Sequence, residues 1–256
     1  MSSVQQFAAD LKAGQSIFTH WCGIPHPSIA GLLAREPGFG AVVVDLQHNP
    51  ADFAMALQAI PLVAAAGKPC VVRIPVGEFQ TASRLLDAGA SGIIAPMINS
   101  VEDARRFVEF TKFPPLGGRS WGPVGALALT GLAPTEYFRT ANDFSVTFAM
   151  IETREALDAI DDILAVDGID GIFIGPSDLS IGLSGGTVLD PLSPAVDAAL
   201  DHAGARARAA GKFAGAYTGT GERAADNVRR GFGFVAIGSD TAFLKAGAAA
   251  LRKGAG

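Results

Sequence analysis

Gly171-Ile172-Phe173-Ile174-Gly175-Pro176-Ser177-Asp178-Leu179-Ser180 is the stretch on which the fold turns. Ile172-Phe173-Ile174 is an apolar, β-favouring run. Gly175-Pro176 breaks it, and Ser177-Asp178 has the composition of a helix start. One unit earlier, Phe148-Ala149-Met150-Ile151 makes the same kind of run and ends in a lone carboxylate, Glu152. A strand, a turn and a helix start, repeated, is the signature of a βα unit.

Working outward, candidate strands fall at 16–22, 41–46, 70–75, 92–96, 145–151, 170–174, 213–217 and 233–238. They are continuously apolar rather than alternating, as in parallel strands covered on both faces. Helical spacing of apolar residues occupies Ala51–Ala66, Phe79–Ala88, Val101–Phe110, Arg154–Ala165, Pro194–Ala210 and Glu222–Arg230. Gly67, Gly89, Gly211 and Gly231 fit helix C-termini, and Ser100 and Thr153 fit N-caps. Eight such units over 1–256 predict one (β/α)8 TIM barrel. An open doubly wound sheet is the alternative, but no Gly-x-Gly-x-x-Gly follows the first strand. Pro114–Ala133 reads as an irregular stretch, and Thr241–Gly256 as a helical tail that covers the barrel or packs on another subunit.

The chain has 256 residues, 49% hydrophobic and 18% charged, enough for a large core and without a disorder signature. A net charge of −5 offers no electrostatic case for nucleic acid or an anionic membrane. No apolar stretch approaches the roughly 20 residues of a membrane span. The N-terminus lacks a basic region followed by an apolar run, which argues against a secretion signal. Cys22 and Cys70 lack zinc-site spacing, and the reading is a reduced, cytoplasmic chain.

In a barrel, chemistry sits where strands end. The polar residues there are His20, then Asp45 and His48, then Arg73, Glu152 and Asp178. Glu152 and Asp178 fall on consecutive strands. Two carboxylates there are costly to desolvate without a cation, so they predict a hard divalent ion, Mg²⁺, Mn²⁺ or Co²⁺. The plainer readings are an acid favoured by a helix dipole for Glu152 and an N-cap for Asp178. Backbone N–H groups at Ser177 and Asp178 are of the kind that hold a carboxylate or a phosphate. Arg73 is placed to face a developing oxyanion, or else forms an ion pair with Asp45 or Asp87. Asp45-Leu46-Gln47-His48 reads as a base held by a neighbouring acid. Trp21 and Trp121 read as packing or interface residues, His26 as a turn residue and Cys70 as core. None of Lys12, Lys68, Lys112, Lys212, Lys245 and Lys253 is placed for a Schiff base, which leaves a metal-stabilised enolate as the natural route.

Asp45-x-x-His48, Val72-Arg73, Ala95-Pro96-Met97, Pro114-Pro115 through Gly118-Arg119-Ser120, Ile151-Glu152 and Gly175–Ser180 occur in the order found in the HpcH/HpaI aldolases. The chain resembles that family of metal-dependent class II pyruvate aldolases over residues 14–252. The resemblance implies a (β/α)8 barrel, often a hexamer of dimers that exchange a C-terminal helix. It implies Glu152 and Asp178 as metal ligands, His48 as acid/base and Arg73 on the enolate oxygen. It implies Asp87 as an acid that orients the base, with Gly175, Ser177 and Asp178 around the substrate carboxylate. The implied reaction joins pyruvate or a related 2-oxo acid, such as hydroxypyruvate, to an aldehyde, and cleaves 4-hydroxy-2-oxo acids. Two positions depart from some members. Gln47 replaces a Glu before the His, and Met150 replaces a Gln before the metal Glu. Rival readings are a citryl- or malyl-CoA-type lyase, for which no basic phosphate pocket is evident, and a non-catalytic barrel that binds an organic acid.

Overall fold

Eight short strands form a closed, all-parallel barrel in sequence order, β8 pairing with β1. The computed structural model describes residues 1–254, so the end of the expected tail, 255–256, lies outside the described residues. The strands are β1 Ile17–Cys22, β2 Ala41–Asp45, β3 Cys70–Arg73, β4 Gly92–Ala95, β5 Val146–Ile151, β6 Gly171–Ile174, β7 Phe213–Thr218 and β8 Phe234–Ser239. Each lies within or almost within its expected run. The principal helices between them are α2 Pro27–Leu33, α3 Phe53–Ala65, α4 Phe79–Ala88, α5 Val101–Thr111, α10 Pro176–Leu183, α11 Pro194–Ala209 and α12 Gly221–Arg230. Gly89 and Gly231 end α4 and α12 in the left-handed region, φ 104° and 99°, where a side chain would be strained. Ser100 Oγ and Thr153 Oγ1 accept from the N–H groups of Asp103 and Ala156, as N-caps do.

Both faces of the strands are apolar, but they serve different layers. Val42, Val44, Val72, Ile172 and Ile174 pack outward under the helices. Val43, Val71, Phe148, Phe173 and Phe234 point inward. Phe148 stacks on Phe234 at 5.5 Å between ring centres, and Phe173 meets Phe234 at 6.1 Å. These rings fill the lower barrel, so it is a packed core with no channel.

Several helices differ from the sequence expectation. α1, Ser3–Lys12, places Phe7 edge-on to Phe234 at 5.0 Å and closes the barrel floor. The stretch expected to be irregular holds α6, Val124–Thr130, and α7, Pro134–Phe144, follows it. Tyr137, Ala141 and Phe144 give α7 a buried stripe at helical spacing, so its pattern was present in the sequence. The helix expected over 154–165 divides at Ala159 into α8, Arg154–Asp158, and α9, Ile160–Leu164. The tail forms α13, Asp240–Arg252. No described helix is long and apolar enough to cross a membrane.

Candidate active site

A cavity of about 270 Å³ opens where the strands end, lined in part by His48, Arg73, Gly175, Ser177 and Asp178. Strand parity decides which polar residues reach it. On β3, Val71 and Arg73 share the inward face, and Pro75, two residues on, cannot donate to a ladder. On β1, Trp21 faces inward and His20 outward. His20 is 2% exposed, stacks on Phe39 at 3.6 Å and lies edge-on to Phe243 at 5.2 Å. It therefore packs behind the barrel wall and does not reach the cavity. Trp21, expected to be packing, lines the cavity and lies 4.8 Å from the Arg73 guanidinium.

Arg73 and Asp45 form a buried two-pronged pair, Nε to Oδ1 and Nη2 to Oδ2, both 2.7 Å. Asp45 also accepts from the Gln47 N–H at 3.1 Å and from Asn49 Nδ2. Burial pushes its carboxyl up, but Arg73's hydrogen bonds and charge outweigh that, and it ends below its usual range. This corrects the expectation that Asp45 holds His48: both its oxygens are taken, and the residue they fix is Arg73. His48 is exposed at the cavity rim.

Glu152 follows β5 and is 1% exposed. Its Oε1 accepts from the Met97 N–H at 2.8 Å, and its Oε2 is buried with no partner. Met97 holds a left-handed φ of 55°, uncommon for a side-chain-bearing residue, and that turn delivers its N–H to the carboxylate. Burial raises the Glu152 carboxyl to about 7, against the Met97 hydrogen bond, and the charge of Asp178 adds to the rise. Asp178 is not an N-cap. Gly175 is the N-cap of α10, and Asp178 sits in the first turn facing the cavity. The first amide to find a helical carbonyl is Leu179, 3.0 Å from Gly175 O, which leaves the Ser177 and Asp178 N–H groups ahead of it. Gly175 is needed for space, since a Cβ there would lie 2.6 Å from Met150 Cε and 2.7 Å from Glu152 Oε2. A buried oxygen without a partner, beside a second carboxylate, fits a hard cation. Among the described residues no cluster of three or more His, Cys, Asp or Glu could hold a metal, so these two acids are the available donors.

Asp87 is not brought to His48 within one chain. It lies near the end of α4, on the side where β4 begins, and pairs with Arg119 at 2.7 Å. None of the six lysines lines the cavity. Lys112 is fully buried, held by Asp170 at 2.7 Å and by the carbonyls of Asn142 and Ser145. His26 caps α2, its Nδ1 accepting from Ser28 N–H at 3.3 Å. Sequence reasoning missed Asn49, Tyr217 and Ser239, which also line the cavity. Tyr217 and Ser239 do lie at strand ends, which was the one signal available for them.

The model of the HpcH/HpaI aldolase/citrate lyase family matches residues 21–246. The chain belongs to that family. It is 40% identical over 235 residues to a hydroxypyruvate/pyruvate aldolase of Rhizorhabdus wittichii, covering 92% of each chain. It is 37% identical over 245 residues to a 4-hydroxy-2-oxo-heptane-1,7-dioate aldolase of Salmonella typhimurium, covering 96% of this chain and 92% of that one. An HpcH/HpaI aldolase structure from Desulfitobacterium hafniense superposes with a TM-score of 0.87 at 29% identity over 96% of both chains. Membership in the HpcH/HpaI family agrees with the expectation of an aldolase-type carbon–carbon lyase in a (β/α)8 barrel.

Proposed function

We propose that this HpcH/HpaI chain is a metal-dependent class II aldolase that cleaves 4-hydroxy-2-oxo acids to pyruvate, or a related 2-oxo acid, and an aldehyde, and runs the reverse addition. The observation that carries the reading is the unpartnered Oε2 of Glu152 beside Asp178, opposite the clamped Arg73. Glu152 and Asp178 would hold a divalent ion, Mg²⁺, Mn²⁺ or Co²⁺, which when bound polarises the donor's carbonyl. The N–H groups of Ser177 and Asp178, beside Gly175, receive the substrate carboxylate at the start of α10.

In cleavage, His48 accepts the proton of the C4 hydroxyl as the C3–C4 bond breaks. The electron pair of that bond passes into the donor as an enolate. Arg73 answers the growing charge on the enolate oxygen. Its Nε–H and one Nη2–H are committed to Asp45, so the Nη1 hydrogens and the second Nη2–H form the edge left to donate. The clamp holds that edge fixed, so little reorganisation accompanies the charge. The proton that His48 took is returned, directly or through water, to C3 of the enolate, which gives the 2-oxo acid and restores the neutral imidazole. A part for Asp87 in orienting His48 requires a neighbouring copy of the chain. A homo-oligomer, a hexamer by family resemblance, is proposed with it, partners being otherwise a small 2-oxo acid and an aldehyde.

The test is pyruvate release from a 4-hydroxy-2-oxo acid by EDTA-treated protein, before and after Mg²⁺, Mn²⁺ or Co²⁺ is added. Activity lost to chelation and restored by metal supports the reading. Activity indifferent to chelation sinks it.

A further inference from the structure

A second cavity, about 460 Å³, lies beside the first, between α10, α11 and the start of α12. Pro176, Ser177 and Tyr217 line both, so the two share a rim. Its walls are mainly apolar, from Pro191, Leu192, Leu200 and the Tyr217 ring. Asn227 at its wall is fully buried, and its Nδ2 has no partner. Its cation, Arg223, is engaged by Asp197, and Glu222 and Asp226 add negative charge. Apolar walls, uncharged polar side chains, two carboxylates and a single cation already engaged among the lining residues describe a site for a neutral chain, and carboxylates are disfavoured there.

We infer that this side chamber receives the tail of the aldehyde partner and selects uncharged, chain-extended aldehydes over short or ω-carboxylated ones. The inference rests on the proposed aldolase reaction and adds the acceptor class to it. The donor is anchored at Ser177 and Asp178, so the acceptor's reacting carbon must lie above them. Its tail then has a way out across the Ser177–Tyr217 rim. Each methylene buried there raises kcat/KM by about threefold to fourfold.

The experiment uses metal-loaded protein with pyruvate and, in turn, acetaldehyde, hexanal and succinic semialdehyde, on wild type and Leu192→Trp. Leu192 is 65% exposed, so the larger ring fills the chamber mouth without entering the core. Wild type is expected to favour hexanal by at least about tenfold over the other two, by that methylene increment. Leu192→Trp should erase that preference by raising the KM for hexanal while leaving acetaldehyde unchanged. Deuterium exchange at pyruvate C3 in D₂O, which needs no acceptor, is measured in parallel. Exchange with no preference for hexanal, or with a preference that survives Leu192→Trp, overturns the chamber and leaves the aldolase reading standing. No exchange in wild type overturns both.

Discussion

Arg73 shows how much of this site depends on one residue's geometry. Its fork matches Asp45 at two points and its face lies over Trp21. Lysine keeps the charge and loses the fork. Arg73→Lys should therefore lower kcat/KM by about 10²- to 10³-fold, the scale of a lost oxyanion donor, with pyruvate-release assays as the check. At Glu152 and Asp178, added Mn²⁺ should raise the melting temperature of wild type, corresponding to about 2.7 kcal/mol at a hundredfold excess over Kd. Asp178→Asn should abolish most of that gain, and an equal gain in the variant would remove Asp178 from the metal site. His20 supplies the pH test. Burial, with the charge of Lys68, lowers its pKa from 6.5 to about 4. The folded chain then binds that proton less well than the unfolded one. Its contribution is complete above pH 6.5 and is lost as pH falls toward 4. His20→Phe, between Phe39 and Phe243, should flatten that part of a denaturation-midpoint-against-pH curve.

At the scale of elements, the β6–α10 junction is the tightest constraint. Gly175 has an ordinary φ of −96°, so alanine is acceptable to the backbone and the obstacle is the space beside Glu152 and Met150. Gly175→Ala should cut turnover at least about tenfold, a one-ångström misplacement being worth up to about 10². Its urea midpoint should stay near wild type, and a large loss of stability would instead mark a packing defect. α1 is a structural counterpart at the opposite end of the barrel. Phe7→Ala should cost about 3–5 kcal/mol in urea unfolding, since the ring closes the floor against Phe148 and Phe234.

At the scale of the molecule, the barrel divides its labour between two ends. The floor holds two ion pairs with buried cations and half-buried carboxylates, Lys112 with Asp170 and Arg119 with Asp87, while the strand-end face holds the cavity. α13 leaves Leu244 61% and Leu251 89% exposed, an apolar face that a neighbouring copy would cover. Sedimentation should show an assembly larger than a monomer, and deleting 241–256 should shift it to smaller species. A full-length monomer at micromolar concentration would rule out the proposed oligomer.

The amino-acid sequence by itself determined the barrel, because eight apolar runs broken by Gly, Pro and capping residues have few other solutions. It also determined that Arg73, Glu152 and Asp178 close strands or open the next helix, and so that they meet at one end. It did not reveal parity. Strands buried on both faces carry no polar alternation, so His20 read as a strand-end candidate and Trp21 as packing, whereas the pleat of β1 turns His20 outward and Trp21 into the cavity. The partner of Asp45 was likewise undetermined. His48 is three residues away in the chain, but Arg73 lies opposite in the β2–β3 ladder, and its fork outcompetes a single contact to imidazole. Where Asp87 lies within the chain was undetermined for the same reason: a helix that returns to the start of the next strand carries its last turn to the floor, where Asp87 pairs with Arg119. Only tertiary structure could decide this, since the distances that matter run across the sheet and not along the chain.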